Sequence, residues 1–225
     1  MKTVVGKLRI GALASGGGTN LQSIIDRCGD GSLEAEIALV ISNNPNAGAL
    51  ERARKAGIPC LCIDHREFSD REEFDRAVVA ALQEAGVELV VLAGFMRIIS
   101  GVFIEAFPER IMNIHPALLP AFPGLHVQRK ALEYGARFAG CTVHFVDGGV
   151  DTGPIIIQSV VAVLDDDTEE SLSARILQQE HRIYPRAIQL FAEGRLRIEG
   201  RRVRIDPPLC PAEAVLTNPP LENNP

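Results

Sequence analysis

Hydrophobic positions along the chain fall into short runs that are separated by amphipathic segments. Seven apolar runs have the length of a strand: residues 8–14, 36–42, 59–63, 88–94, 110–115, 140–146 and 154–163. Segments with helical character lie between or after them, at residues 20–28, 47–56, 70–85, 100–107, 126–134 and 168–191. Alternating strands and helices predict βαβ units. We therefore expect a Rossmann-like, doubly wound α/β fold with a mainly parallel sheet of about seven strands.

The carboxyl-terminal third predicts a long helix, a hairpin and a tail. Asp167 is expected to cap the helix, and Pro185 to kink or divide it, because proline lacks a backbone donor. Residues 195–205 predict a short β-hairpin. Residues 206–225 are rich in Pro and Asn, which predicts a loosely attached tail after a single catalytic domain over residues 1–205.

Composition and charge exclude several classes of partner. Of the 225 residues, 46% are hydrophobic and 23% are charged, which is ordinary globular usage. The net charge of -6 disfavours a broad nucleic-acid surface, which requires clustered basic residues. No apolar stretch reaches membrane-spanning length, and the amino-terminal runs are too short for a signal peptide. We expect neither nucleic acid nor membrane as a partner, and an anionic ligand must be held by local groups.

The cysteines indicate a reducing compartment. Five are present, and an odd number cannot all pair, so a cytoplasmic location is expected. Cys60 and Cys62 lie two apart in an apolar run, and we expect both to be small buried residues on one face of a strand. Neither a CxxC spacing nor a cluster with histidine accompanies them, and no metal site is expected.

A glycine-rich turn follows the first strand. Its sequence SGGGTN, residues 15–20, leads directly into a helix. Glycines let the backbone approach a ligand closely, and a helix start offers free N–H groups to an anion. The turn lacks the lysine of a Walker loop and the third glycine of a dinucleotide fingerprint. It is a candidate phosphate site for a mononucleotide or sugar phosphate, with an ordinary structural turn as the alternative.

Three polar residues form a candidate reaction centre. Asn113 and His115 are two apart on a predicted strand, so their side chains share a face near its carboxyl end. An amide donor beside an imidazole suits acyl-type transfer, in which an oxyanion must be stabilised. Asp151 lies in a second glycine-rich loop, DGGVDTGP at 147–154, and a carboxylate there can orient the imidazole. A structural histidine and an ordinary turn are the alternatives.

Five segments resemble, in their order and spacing, the phosphoribosylglycinamide formyltransferase family, which are folate-dependent enzymes of purine synthesis. They are SGGGTN (15–20), VVLAGFMRIIS (90–100), NIHPALLPAFPGLH (113–126), DGGVDTGPII (147–156) and QQEHRIYP (178–185), and the match covers about residues 8–205. The resemblance implies transfer of a formyl group from 10-formyltetrahydrofolate, as co-substrate, to the amine of glycinamide ribonucleotide. It also implies small-molecule partners and a monomer or homodimer.

The resemblance implies roles for individual residues. The implied catalytic trio is Asn113, His115 and Asp151. The residues implied to bind glycinamide ribonucleotide are Gly18, Thr19, Asn20 and Glu180. The residues implied to bind the folate are Arg71, Met96, Arg97, Ile98, Ile99, Asn113, Asp147, Gly148, Gly149 and Val150.

Two positions depart from the family pattern. Thr19 stands where serine is common, which retains the hydroxyl, and Ile99 stands where leucine is usual. His144 matches a histidine on the strand that enters the site, and a histidine satisfied within the core is the alternative. The other histidines are expected to be structural or surface residues: His65, His126 and His181.

The implied mechanism starts from a free glycyl amine, since an α-amino group has an unperturbed pKa of about 7.7–8.0. The amine attacks the formyl carbon, and the Asn113 amide and a protonated His115 stabilise the oxyanion. Asp151 assists transfer of a proton to N10 of the folate, directly or through a water.

Related enzymes and a non-catalytic module are the alternatives. A formyltetrahydrofolate hydrolase shares the trio but uses water, and it carries a regulatory domain ahead of its catalytic part, whereas the first strand is expected near residue 8 here. Methionyl-tRNA formyltransferase shares the Asn-x-His-Pro segment but has a carboxyl-terminal RNA-binding domain, and the acidic charge disfavours tRNA. A catalytically silent folate- or nucleotide-binding module is the alternative of another class. The broken glycine fingerprint disfavours a nicotinamide-binding domain.

Overall fold

The computed structural model describes residues 6–209 together with residues 216 and 218. In this part of the chain the strands are β1 Leu8–Leu13, β2 Ala35–Ser42, β3 Cys60–Cys62, β4 Leu89–Leu92, β5 Ile111–His115, β6 Phe138–Phe145, β7 Ile155–Ala162, β8 Leu196–Glu199 and β9 Arg202–Ile205. The α-helices are α1 Thr19–Gly29, α2 Gly48–Lys55, α3 Arg71–Glu84, α4 Gly101–Ala106, α5 Val127–Tyr134 and α6 Glu169–Ala192. Each strand and helix predicted from the hydrophobic pattern corresponds to one of these elements.

One sheet holds nine strands in the order β3-β2-β1-β4-β5-β6-β7-β9-β8. Strands β1 to β5 are parallel, β6 runs antiparallel to both of its neighbours, β5 and β7, and β7 pairs in parallel with β9. The order runs outward from β1 in both directions, so the predicted doubly wound, mainly parallel α/β fold is confirmed. The sheet has nine strands rather than about seven because the predicted hairpin, β8 and β9, joins its edge through Ile155 and Arg202.

The parallel strands are covered by helices on both faces. Along β4, Leu89 and Val91 lie in a core cluster with residues of α1 and α6, while Val90 and Leu92 lie in a second cluster with α3 and α4. Alternate residues of a strand point to opposite faces, so a strand covered on both sides is apolar throughout. Among the helices of the described residues, none combines the length and the apolar character needed to cross a membrane.

The start of α6 differs from the prediction. Its N-cap is Thr168, whose hydroxyl accepts from Ser171 N, while the Ser171 hydroxyl accepts from the Thr168 N–H. Asp167 instead forms an ion pair with Arg175, and the guanidinium hydrogen bonds hold the pKa of this carboxyl well below its usual range. The prediction that Asp167 caps the helix is therefore wrong.

Pro185 lies inside α6, which is continuous over Glu169–Ala192. A proline within a helix costs about 3 kcal/mol through the lost hydrogen bond and the clash with the preceding turn. Its neighbours Tyr184, Ala187 and Ile188 are completely buried, and most helical stability in proteins comes from such packing. The prediction that Pro185 divides the helix is wrong because these tertiary contacts offset the local cost.

The cysteines of β3 are less buried than expected. Cys60 is half-buried and Cys62 is exposed. β3 is the first strand of the sheet order and therefore an edge strand, with a neighbour on one side within the sheet. The expectation that both are buried is wrong because the two-residue period does not reveal which strand lies at an edge.

The predicted tail is described in part. Asp206 N–H donates to Arg195 O at 3.0 Å, which joins the start of this segment to the hairpin. Further along, the Asn218 amide donates to Val163 O at 2.9 Å. Residues 210–215, 217 and 219–225 of the predicted tail lie outside the described residues, as do residues 1–5 of the predicted domain.

The Tyr184 hydroxyl is expected to stabilise the fold measurably. It lies 3.1 Å from Leu92 O and 2.9 Å from Met112 O, at the buried junction of β4 and β5. Tyr184→Phe removes this donor from two buried carbonyl groups, so we expect a loss of about 1–3 kcal/mol in the free energy of unfolding, measured by urea denaturation. The matched control is Tyr134→Phe, at a side chain that is 83% exposed, which should stay within about 0.5 kcal/mol of wild type. Equal stability of the two variants would contradict this role.

Candidate active site

The loops after β1 and β4 meet at one edge of the sheet because these neighbouring strands are parallel. Ser15, at the start of the glycine turn, donates its N–H to Gly94 O at 2.9 Å. Its hydroxyl accepts from Met96 N at 2.8 Å and donates to Asn43 Oδ1 at 2.6 Å. One side chain therefore joins the glycine turn to the loop after β4, two regions that the family resemblance assigns to different reactants.

Gly18 sets the geometry of the glycine turn. It has a φ of 73°, in the left-handed region, and a β-carbon at this position would lie 2.7 Å from Ala49 Cα. Gly18 is also the N-cap of α1, and no side chain of the described residues caps the first N–H groups of this helix. Thr19, the first helical residue, is exposed. The predicted phosphate position is thus a helix start whose amide donors are open to an anion.

Asn20 and Glu180 form a buried polar pair. The Asn20 Nδ2 donates to Glu180 Oε2 at 2.7 Å, although these residues are far apart in the chain. Burial raises the pKa of Glu180, and the hydrogen bond from Asn20 opposes this shift in part. The Oδ1 atom of Asn20 is buried without a partner among the described residues. An unpaired buried acceptor beside a buried carboxyl suits a ligand that brings hydrogen-bond donors.

Asp151 brings the predicted trio together. Its Oδ2 lies 3.4 Å from Nδ1 of His115, and its Oδ1 lies 3.5 Å from Nδ2 of Asn113. The Gly124 N–H donates to the same carboxylate at 2.9 Å. The Asp151 side chain is only 12% exposed, so it needs such partners, because withdrawing a charge from water is costly.

Both ring nitrogens of His115 face oxygen atoms. Nε2 lies 3.0 Å from Phe122 O, and Nδ1 faces Asp151. A carbonyl oxygen only accepts, so Nε2 carries hydrogen, and an imidazolium with hydrogen on both nitrogens matches both neighbours. To donate to a substrate oxygen, His115 must give up one of these contacts. The contact between Asn113 and Asp151 is at the long limit for a hydrogen bond, so the Asn113 amide is better placed to donate to a ligand.

The loop between β6 and β7 holds Asp151 in an uncommon backbone conformation. Asp147 Oδ1 accepts from Gly149 N at 3.1 Å and from the Thr152 hydroxyl at 2.5 Å. A β-carbon on Gly153 would lie 1.8 Å from a backbone oxygen of β6, so glycine is required there. Asp151 itself has a φ of 55°, which is costly for a residue with a side chain. The hydrogen bonds that Asp147 accepts within the loop maintain this conformation, which directs the Asp151 carboxylate towards β5.

Three of the predicted folate residues expose large apolar side chains. Met96 is 68% exposed, Ile98 is 57% exposed and Val150 is 48% exposed. Exposed apolar groups on loops beside a polar cluster are typical of a surface that a ligand covers. Gly148 and Gly149, which precede Val150, are exposed as well.

The other predicted folate residues have different surroundings. Ile99 is buried in the core cluster with α3 and α4, so its side chain contributes packing rather than surface. Arg97 lies over the Phe74 ring, with its guanidinium carbon 5.0 Å from the ring centroid, a distance typical of a cation–π contact. Arg71 is exposed at the first position of α3. Two cations are thus present for an anionic ligand, one exposed and one held by an aromatic ring.

A surface groove of about 520 Å³ lies elsewhere, between α6 and β7. It is lined by residues that include Gln158, Arg182 and Arg186, and by none of the predicted site residues. Groove volume therefore does not locate the polar site, whose residues lie on β5 and on the loops after β1, β5 and β6. Among the described residues, no group of His, Cys, Asp and Glu side chains is arranged to hold a metal ion.

Sequence reasoning missed several groups that contact the site. Ser15 is the first residue of the SGGGTN motif, and this position was the only sequence feature that could have indicated its role. Asn43 follows a buried strand and carries no motif of its own. The backbone groups of Phe122 and Gly124, which contact His115 and Asp151, leave no signal in side-chain chemistry.

Fold and site together define an α/β domain with an open, mainly parallel sheet, in which an amide, an imidazole and a carboxylate are gathered at the same end of the parallel strands as the glycine turn that begins α1. The chain belongs to the formyl transferase family, whose sequence profile matches residues 8–188. The resemblance drawn from five sequence segments is therefore confirmed.

The chain is similar to bacterial proteins of this family over most of their lengths. It is 43% identical to the phosphoribosylglycinamide formyltransferase of Escherichia coli over 199 residues, covering 88% of this chain and 94% of that protein. The crystal structure of glycinamide ribonucleotide transformylase 1 from Symbiobacterium toebii has 59% sequence identity and a TM-score of 0.88, covering 88% of this chain and 94% of that one.

Other relatives are longer. The trifunctional purine biosynthetic protein adenosine-3 of Drosophila melanogaster is 50% identical over 83% of this chain, which spans only 14% of the length of that protein. The structure of a formyltetrahydrofolate deformylase from Pseudomonas syringae has 26% identity and a TM-score of 0.83, covering 89% of this chain and 66% of that one.

Gly18→Ala is expected to destabilise the protein. The β-carbon of the alanine would clash with Ala49, and the alanine backbone would have to adopt a positive φ. We therefore expect a loss of about 1–3 kcal/mol in the free energy of unfolding. Chemical denaturation provides the measurement. Gly16→Ala is the matched control, because a β-carbon there meets no atom within 4 Å, and it should be nearly neutral. A Gly18 variant as stable as the Gly16 variant would rule out the packing described for the turn.

Glu180→Gln is expected to change how stability depends on pH. The pKa of Glu180 is higher in the folded protein than in the unfolded chain, so ionisation of this carboxyl destabilises the fold. This destabilisation is absent below the ordinary pKa of glutamate, and it is complete above the raised pKa of the folded protein. Glutamine keeps an acceptor for Asn20 but does not ionise. The stability of the variant relative to wild type should therefore increase between about pH 4 and pH 7, measured by urea denaturation. The exposed Glu133→Gln is the control, and parallel behaviour of the two variants would refute the prediction.

Proposed function

We propose that this chain is an enzyme that transfers the formyl group of 10-formyltetrahydrofolate to the amine of glycinamide ribonucleotide, in purine biosynthesis. The observation that carries the proposal is the contact of one nearly buried carboxylate, Asp151, with both Asn113 and His115. The Escherichia coli and Symbiobacterium toebii proteins named above support it, since they align over most of their lengths. Small-molecule partners and a cytoplasmic location belong to the same proposal.

The phosphate of the ribonucleotide binds at the start of α1 in this proposal. Gly18 and Thr19 contribute backbone donors, and the positive end of the helix attracts the anion. Asn20 and Glu180 face the polar remainder of the substrate, and the unpaired Asn20 Oδ1 accepts a hydrogen from it. These local groups compensate for the overall charge of -6.

The folate lies against the apolar side chains of Met96, Ile98 and Val150, between the loop after β4 and the loop after β6. Covering these side chains removes apolar surface from water, which favours binding. Arg71 and Arg97 attract the carboxylates of the folate glutamate. The remaining folate contacts come from the backbone of Ile99 and from the loop residues Asp147, Gly148 and Gly149.

In the reaction, the amine nitrogen forms a bond to the formyl carbon, and the carbonyl π electrons move to its oxygen. The Asn113 amide donates a hydrogen to this oxyanion, and a protonated His115 adds positive charge nearby. The intermediate then re-forms the carbonyl and breaks the bond to N10, which receives the electron pair. A proton passes from the attacking nitrogen to N10, and Asp151 relays it.

Asn113→Ala, His115→Ala and Asp151→Asn are expected to reduce kcat by roughly 10²–10³ with little change in folate binding, since each removes a group that acts on the transition state. Release of tetrahydrofolate, followed by absorbance with glycinamide ribonucleotide present, measures the rate. The control is His126→Asn, at an exposed position with a φ of 56° that asparagine tolerates, and it should keep wild-type turnover.

The same assay with the ribonucleotide withheld tests the nature of the acceptor. Transfer requires the amine, so tetrahydrofolate release should depend on it. Equal release without the amine would replace the proposal by hydrolysis of the formyl group, and one structural neighbour is named as a formyltetrahydrofolate deformylase. Wild-type turnover by the three site variants would instead remove their side chains from the chemistry.

A further inference from the structure

His144 is a buried histidine that the mechanism above does not use. It lies on β6, is 2% exposed, and is paired with Asn113 across the antiparallel junction of β5 and β6. Its Nε2 lies 3.2 Å from Nδ2 of Asn113. Its Nδ1 lies 2.8 Å from the backbone oxygen of Phe145. Both ring nitrogens therefore have defined partners on two strands.

These partners determine which ring nitrogen carries hydrogen. The Phe145 carbonyl oxygen only accepts, so Nδ1 is the donor. Burial lowers the pKa of His144 and so favours the neutral ring, although Asp151 opposes this, with its Oδ1 at 3.8 Å from Nε2, beyond hydrogen-bonding distance. In a neutral ring with hydrogen on Nδ1, Nε2 has a free lone pair and can only accept.

The orientation of the Asn113 amide follows from this. Nε2 of His144 accepts one of the two Nδ2 hydrogens, which leaves the second hydrogen directed towards Asp151 and the reacting carbonyl. With the amide rotated by half a turn, its oxygen would face the lone pair of Nε2, an unfavourable contact between two acceptors. The rotated amide would also offer an acceptor where an oxyanion requires a donor.

We propose that His144 is a positioning residue, which accepts a hydrogen bond from Asn113 and thereby holds the amide with its donor towards the oxyanion. The inference rests on the proposed function, because it assigns Asn113 the role given there. His144 itself touches no reacting atom. The Phe145 carbonyl is the backbone group that determines which ring nitrogen of His144 carries hydrogen.

Two substitutions separate the two ring contacts. In His144→Asn, the amide nitrogen occupies the position of Nδ1 and keeps the donor to Phe145 O, but no acceptor reaches Asn113. In His144→Gln, the side chain extends to the position of Nε2 and supplies an acceptor there. We expect kcat to fall about tenfold in the Asn variant and to recover largely in the Gln variant, with KM for folate little changed in both. Equal kcat in the two variants would overturn the proposal.

A double-mutant cycle tests whether His144 acts through Asn113. When Asn113→Ala has removed the amide, His144→Asn should lower kcat no further, whereas independent effects would multiply. Multiplied losses would overturn the inference while leaving the proposed function intact. A normal kcat in Asn113→Ala alone would count against the proposed mechanism itself, so the two failures are distinguishable.

Nitrogen NMR of the wild-type protein reads the hydrogen positions on the His144 ring directly, without a kinetic measurement. With ¹⁵N in the histidine rings, the chemical shifts should show that Nδ1 of His144 carries hydrogen near neutral pH and that Nε2 does not. The other tautomer, with hydrogen on Nε2, would donate to Asn113 Oδ1 and would require the rotated amide. The signals are assigned by their loss in His144→Gln. Hydrogen on Nε2 of His144 would overturn the proposal.

Discussion

A carboxylate withdrawn from water must be surrounded by donors, and this requirement governs the arrangement around Asp151. The carboxylate takes the amide of Asn113 and the imidazole of His115 from β5, and the Gly124 N–H from the loop that follows β5. Each of these groups is held in turn by the backbone of a strand or a loop. Removing any one of them leaves a polar atom without its partner, so the loop after β5, the loop after β6 and the β5 strand form one structural unit.

The mixed sheet explains how this unit is assembled. Between β4 and β5 the strands are parallel, which brings successive loops to one edge. Between β5 and β6 the direction reverses, and Asn113 and His144 then lie directly opposite each other in register. Opposed residues of an antiparallel pair have their β-carbons about 4.5–5.5 Å apart, so two medium-sized polar side chains can form a hydrogen bond. The antiparallel pairing of β5 with β6 therefore brings Asn113 and His144 into contact directly across the sheet, without any loop.

Much of this arrangement could be predicted from the sequence, because it depends on local patterns. The apolar runs predicted seven of the nine strands, and the hairpin predicted at residues 195–205 gave the other two. The two-residue spacing predicted the common face of Asn113 and His115. Long-range packing was not predictable in the same way. Thr168 rather than Asp167 caps α6, since both residues are plausible caps and side-chain geometry decides between them. The continuity of α6 through Pro185 depends on burial against the sheet, which the local sequence does not contain.

Ser15 has a consequence for how the glycine turn and the loop after β4, the two proposed binding regions, move. A single hydroxyl receives the Met96 N–H and gives its own hydrogen to Asn43, so the glycine turn and the loop after β4 are tied at one atom. Neither loop can shift by more than a fraction of an ångström without stretching that bond or carrying the other loop with it. If the two reactants bind as proposed, a loop movement that one of them causes on binding also moves the loop that contacts the other, and thermodynamic reciprocity makes the effect mutual.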